Sequence, residues 1–179
     1  MLTISGLTKF YGNQTLFKGV NLNIGPKEKI GLIGRNGTGK TTFLKILLGE
    51  EYAVEGDVDM PNGYRVRSLE QHLRFSEKTI LAQVCSSLPK SSVNEEWKAK
   101  SILMGLGFNT DDFDRHPSEF SSGFQVRVRL AEALVSESDL LLLDEPTNYL
   151  DILSLRWLER FLKSWKGSFV LVTHDQHFM

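Results

Sequence analysis

The spacing of hydrophobic positions changes several times along this chain, and each change marks an element. Leu2 to Phe10 and Val20 to Ile24 are strand-like, separated by the turn-rich Tyr11-Gly12-Asn13-Gln14, and Gly25-Pro26 turns the chain again. The apolar run Ile30-Gly31-Leu32-Ile33 predicts a buried strand, and Phe43 to Leu48 predicts a helix with Gly49 as its C-cap. Pro61-Asn62-Gly63 reads as a turn and Tyr64 to Leu69 alternates as a strand does. From Ser76 to Phe108 the pattern is helical: Ser92 and Glu95 have capping-box spacing, and Trp97, Ile102, Leu103 and Leu106 run toward Gly105 and Gly107 as the stop. A helix from Phe124 to Ser136, a strand from Asp139 to Leu143, a helix from Ile152 to Trp165 and a strand from Ser168 to Val172 follow. This order predicts an α/β fold. An N-terminal antiparallel β part precedes a mainly parallel core sheet (about 1–75 and 134–179), with a helical insertion at about 76–133. No internal repeat, low-complexity segment or linker interrupts it.

Composition adds limits rather than direction. With 179 residues, 41% hydrophobic and 24% charged, the chain has the size and balance of one folded domain. Its single cysteine, Cys85, has no partner for an internal disulfide and reads as a small apolar helix residue. The start Met1-Leu2-Thr3-Ile4-Ser5 lacks a signal-peptide pattern, and the longest apolar run, Leu140 to Leu143, is far too short for a membrane span, so the cytoplasm is the expected location. A net charge of −1 offers no general attraction to nucleic acid or to an anionic membrane.

Chemistry enters with Gly34-Arg35-Asn36-Gly37-Thr38-Gly39-Lys40-Thr41, which matches the phosphate-binding pattern G-x-x-x-x-G-K-[ST] between an expected strand and an expected helix. Glycines let such a loop fold tightly enough for successive N–H groups to face phosphate oxygens, and the helix N-terminus adds partial positive charge. Lys40 is placed to neutralise the outer phosphates and Thr41 to offer its hydroxyl to Mg²⁺. The residues expected to hold the nucleotide here are Gly34, Asn36, Gly37, Thr38, Gly39, Lys40, Thr41 and Thr42. A second constellation is Leu140-Leu141-Leu142-Leu143-Asp144-Glu145. Leucines without alternation suit a strand buried on both faces, and carboxylates at its C-terminal end lie where parallel sheets bind ligands. Asp144 is then the metal-holding acid and Glu145 the group that orients or deprotonates water. Taken alone, both acids would serve equally well as helix caps.

In order, the chain presents Gly34 to Thr41, Gln71, Phe120-Ser121-Ser122-Gly123-Phe124-Gln125, Asp144-Glu145-Pro146-Thr147-Asn148-Tyr149-Leu150-Asp151 and Thr173-His174-Asp175. That succession resembles an ATP-binding-cassette (ABC) ATPase domain over almost the whole chain, a P-loop NTPase fold. Asp-Glu-Pro-Thr-Asn-x-Leu-Asp, together with Gly167-Ser168-Phe169 leading to Thr173-His174-Asp175, resembles the first cassette of the ABC-F branch, whose members are soluble, carry two cassettes and act on ribosomes.

The resemblance implies ATP and Mg²⁺ as ligands and gives further residues roles. Tyr11 matches the aromatic that stacks on adenine, with packing on the sheet as its plainer role. Gln71 matches the glutamine that reaches Mg²⁺ and the attacking water, and His174 the switch histidine at the γ-phosphate. His72, His116 and His177 match nothing. Ser121 and Gly123 belong to the signature that meets ATP held by another cassette, and Asp151 to the segment crossing that interface, a role compatible with capping the helix from Ile152. Ser122 replaces a usual glycine and Phe124 a usual polar residue, which predicts weakened trans-activation. Composite sites of this kind imply a second cassette as partner, on the same longer chain or in a homodimer, and a ribosome as target. The family continues past the position of Met179, so the reading is of a cassette truncated at its C-terminus, with an exposed sheet edge. An ATP-binding subunit of a membrane transporter is the alternative within the family; a nucleotide-dependent interaction module is the alternative outside the enzymes.

Overall fold

The computed structural model describes residues 1–69, 73–89 and 95–173. The backbone forms two compact units, one of Met1–Ser68, Ser138–Glu145 and the chain from Lys166 onward, the other of Leu69–Glu137 and Pro146–Trp165.

The first unit runs β1 (Leu2–Tyr11), β2 (Gln14–Ile24), β3 (Lys29–Leu32), α1 (Lys40–Leu48), β4 (Glu55–Asp59) and β5 (Val66–Ser68), and later gains β6 (Leu140–Asp144) and β7 (Ser168–Val172). Its strands form an antiparallel sheet in the order β2-β1-β4 and a parallel sheet in the order β3-β7-β6-β5. This is the α/β arrangement that the sequence predicts. Every leucine of β6 from Leu140 to Leu143 is buried, as suits a central strand of a parallel sheet, bonded to a neighbour on each edge. Phe43, Leu44, Ile46 and Leu47 of α1 share one apolar core with Leu140 and Leu142 of β6. The helix ends at Gly49 in the left-handed region (φ 75°), where the Gly49 and Glu50 amides bond back to the Ile46 and Lys45 carbonyls.

In this unit four details differ from the sequence reading. Only Gly12 and Asn13 separate β1 from β2, and β2 starts at Gln14 rather than Val20; irregularities in the β1–β2 register break the alternation that would have revealed it. Strand β4 carries Glu55, Asp57 and Asp59 on one face and offers only Gly56 and Val58 on the other, too little to announce it, yet it pairs with β1. There Gly56 (φ 85°) lies so close that a β-carbon would stand 2.5 Å from the Gly6 backbone. Strand β3 is half-exposed rather than buried, since only β7 bonds to it among the described residues. Strand β5 covers only Val66–Ser68 of the expected Tyr64 to Leu69.

The second unit is helical: α2 (Ile80–Cys85), α3 (Glu96–Gly105), α4 (Ser122–Val135) and α5 (Ile152–Ser164), with short 3-10 turns at Thr110–Asp112, Pro117–Glu119 and Pro146–Tyr149. In α3 the N-cap is Glu95, without a side-chain capping bond; Ser92 lies outside the described residues. Ala99, Ile102, Leu103 and Leu106 are buried, but Trp97 is 64% exposed. At about 100° per residue, Trp97 falls on the side of the helix away from that stripe. Gly105 is required by a close approach, because its β-carbon would overlap the Trp157 ring of α5. Cys85 is half-buried and burial pushes its thiol up, which keeps it protonated and inert.

Gly56→Ala is expected to lower stability by about 2–4 kcal/mol, since it adds a backbone clash to a left-handed φ. Gly63→Ala has the same sign of φ (77°) and open space around it, so it should cost about 1–2 kcal/mol. Urea unfolding of the two variants measures the difference.

Candidate functional site

The loop between β3 and α1 closes on itself. Thr38 donates its hydroxyl to the Arg35 carbonyl at 2.9 Å, and the Lys40 ammonium donates to the Gly34 and Arg35 carbonyls at 2.7 and 2.9 Å. Gly39 is doubly constrained: its φ is 94°, and a β-carbon there would stand 2.9 Å from Leu16 on β2. No side chain caps α1, and the amides of Lys40, Thr41 and Thr42 have no acceptor among the described residues. The helix thus opens with free donors, a buried ammonium beside them and Asn36 exposed on the loop.

The carboxylates arrive from β6. Asp144 Oδ2 accepts the Thr41 hydroxyl at 2.6 Å. Glu145 follows with a left-handed backbone (φ 47°), and its amide donates to the Val172 carbonyl of β7 at 2.9 Å. A left-handed non-glycine residue at the C-terminal end of a parallel strand is strained and needs its surroundings to hold it. Lys40 and Thr41 of the first motif and Asp144 of the second therefore lie in one place. Oxygen donors from a hydroxyl and a carboxylate suit a small hard cation such as Mg²⁺, and the free amides with Lys40 suit a phosphate chain. Tyr11 ends β1 opposite Gln14, 51% exposed, in the hairpin whose Leu16 touches the Gly39 position. Gln71 and His174, as well as His72 and His177, lie outside the described residues. His116 caps the 3-10 turn at Pro117–Glu119, a loop placement.

In the helical unit Ser121 is the N-cap of α4, extended, with a hydroxyl that makes no capping bond. Ser122 is exposed in the first turn. Among the described residues a β-carbon on Gly123 would meet only the Tyr149 ring, at an ordinary 3.9 Å, so their packing does not require a glycine there. Phe124 has a structural reason: its ring lies edge-on to Phe108 at 5.3 Å, with the Arg127 guanidinium 4.5 Å from its centre. Asp151 caps α5 as the sequence allows. One of its oxygens accepts the Ser154 amide at 2.9 Å and the other accepts Arg127 at 3.0 Å. The capping bond first, with help from Arg127, holds its carboxyl below the usual value of 3.8.

Sequence reasoning passed over Arg127. Buried in α4, it donates to the carbonyls of Tyr149 (2.8 Å) and Leu106 (2.9 Å) as well as to Asp151, and so fixes the segment that carries Asp151. Arg129 is buried beside it in the chain and bonds Glu132 at 2.8 Å, while Glu132 accepts Gln83 of α2 at 2.6 Å. Two arginines interleaved with Val126, Val128 and Leu130 were the available signal.

A family model described as ABC transporter matches residues 17–148. The chain belongs to the ABC transporter family. It is an ATP-binding cassette by sequence and by fold. It is 34% identical to the probable ATP-binding protein YheS of Escherichia coli K12, over 100% of this chain and 33% of that protein. It is also 34% identical to the rat ATP-binding cassette sub-family F member 3, over 94% of this chain and 28% of that protein. The chain thus spans about a third of the length of such relatives. Among solved structures, the ATP-binding cassette MJ0796, a dimer in a post-hydrolysis state bound to ADP and Pi, shares the fold with a TM-score of 0.77 at 24% identity, covering 99% of this chain and 90% of that one. No helix among the described residues is long and apolar enough to cross a membrane.

The cap on α5 gives this cassette a measurable pH response. Asp151→Ala should cost about 1–2 kcal/mol in urea unfolding near neutral pH, and Asp151→Asn, which retains a capping oxygen, less. Because the folded-state value is depressed, the native carboxylate stabilises above pH 3.8, the ordinary value, and that stabilisation disappears as pH falls through the lower folded value. The gap between native and Asp151→Ala proteins should therefore narrow below pH 3.8.

Proposed function

We propose that this chain is one cassette of an ABC-F type ATPase, which binds and hydrolyses MgATP when paired with a second cassette and works in the cytoplasm on the ribosome. The nucleotide reading is carried by one observation, the 2.6 Å bond that brings the Thr41 hydroxyl onto the Asp144 carboxylate across 103 residues of sequence. Mg²⁺, when bound, would neutralise charge on the outer phosphate oxygens. Thr41 and Asp144 are the residues to hold it, with Gln71 assigned to the same metal by resemblance. Lys40 and the free amides of α1 bind the phosphates; Tyr11 receives the base. Glu145 takes the proton of the attacking water, and His174 steadies the outgoing phosphate. Ser121, Gly123 and Asp151 belong to the partner-facing side. Among the described residues a β-carbon on Gly123 would have only the Tyr149 ring near it and the Ser121 hydroxyl makes no capping bond, which supports that placement.

The ABC-F assignment draws on the Asp144-to-Asp151 sequence and on similarity to the sub-family F relative. The match to YheS spans 209 aligned positions against 179 residues here, so that relative carries residues within the matched region that this chain lacks. Ribosome association is tested by ATP-dependent co-sedimentation of a chain carrying both cassettes; recovery with a membrane protein instead would favour the transporter reading.

Lys40→Ala should reduce MgATP affinity at least about tenfold in calorimetry, the effect of losing one charge-assisted contact, and unchanged affinity would return the loop to a structural turn. Glu145→Gln in a two-cassette protein should slow hydrolysis about 10²- to 10⁴-fold with little change in ATP affinity. The same variant should remain on ribosomes, and wild-type turnover by it would remove Glu145 from the role of base.

A further inference from the structure

The surroundings of Tyr11 hold a charged cluster that the nucleotide reading does not use. Lys9, two residues earlier on β1 and on the same face of the strand, is only 6% exposed. Its ammonium donates to Glu51 Oε1 at 2.7 Å and to the Tyr52 carbonyl at 2.6 Å, both in the segment that follows α1. The second oxygen of Glu51 accepts the Tyr11 hydroxyl at 3.1 Å. The ammonium also lies over the Tyr11 ring, 4.8 Å from its centre. A lysine that serves only solubility keeps its head in water, but this one is buried by a carboxylate, a carbonyl and an aromatic face. The ring is thereby held at both its hydroxyl and one face, while half its surface remains open.

We infer that Glu51, fixed by Lys9, is a positioning residue that orients the Tyr11 ring to stack on the purine of the bound nucleotide. The inference rests on the nucleotide reading above. Glu51 does not touch the phosphates in this scheme; it acts through Tyr11 and sets the part of the affinity that comes from the base. Order imposed before binding removes the entropy cost of fixing the ring on binding. The Lys9 bond first, then the Tyr11 hydroxyl, keeps the Glu51 carboxyl below its ordinary value of 4.5, so it remains an acceptor at neutral pH.

Calorimetry with two probes, MgATP and magnesium inorganic tripolyphosphate, separates base from phosphate contributions. Glu51→Gln and Tyr11→Phe should each weaken ATP about three- to tenfold, the net effect of one ordinary hydrogen bond, and leave tripolyphosphate unchanged. The double variant should be no weaker than the worse single one, because both substitutions cut the same link. Tyr11→Phe leaves the Lys9–Glu51 pair intact, so it decides the matter even where Glu51→Gln destabilises the fold. Unchanged ATP affinity in Tyr11→Phe, equal weakening of both probes, or additive losses would overturn the positioning role. If the native chain binds neither probe, the nucleotide reading falls and this inference falls with it; if it binds both and the variants behave as wild type, only the inference falls.

Discussion

The hydrogen bond between Thr41 and Asp144 depends on the burial of β6. A carboxylate can be presented at a fixed point only if the strand carrying it cannot slide, and a one-residue slip would turn every side chain to the other face. Strand β6 is held by β5 and β7 on its two sides and by four buried leucines, so Asp144 emerges at one defined height. The partner is fixed by different means. Two left-handed glycines, at 39 and 49, mark the ends of α1, and Leu16 leaves no room for a side chain at the first of them. Two rigid elements distant in sequence are thus brought to within a hydrogen bond of each other.

The helical unit solves a related problem with charge. Arg127 and Arg129 are buried, and burial of a guanidinium is tolerable only when its donors are satisfied. Arg127 meets this need through the Leu106 and Tyr149 carbonyls and Asp151; Arg129 does so through Glu132 and the Arg74 carbonyl. Such bonds are directional, so the arginines fix the relation of α4 to its neighbouring segments more closely than leucines of similar volume would. For Asp151 the consequence is specific: one carboxylate oxygen is spent on the helix cap and the other on Arg127, which determines how the residue is presented.

What the sequence made legible follows from which constraints are local. The leucine run of β6, the glycine that stops α1 and the strand Ser168 to Val172 each announce themselves within a few residues, and the α/β order follows from them. Motif spacing likewise brought Lys40, Thr41 and Asp144 into one expected site. Strand β4 was illegible because, with acids at alternate positions, its inner face holds a single apolar side chain, Val58, which is too short a hydrophobic period to recognise. The first half of β2 was hidden by register irregularities, which no pattern of two can follow. Arg127 escaped for another reason. An arginine in sequence is by default a solvated one, and only the carbonyls that other segments bring to it justify its burial.

Lys9 belongs to the same illegible class, and its case shows how a site acquires precision from residues outside its motif. The phosphate loop is specified almost entirely by its own sequence, because backbone amides and glycine conformations are local properties. Recognition of a base has no such local recipe, since a tyrosine at the end of a hairpin is free to rotate unless something distant holds it. Here the holding groups come from two different segments, a buried ammonium on β1 and a carboxylate after the helix that the phosphate loop begins. On the proposed nucleotide reading, the same helix offers free amides to the phosphates at its start and leads at its end into the segment that anchors the Tyr11 ring. Glu51 stands two residues past the Gly49 cap, so the helix fixes where that anchoring segment begins.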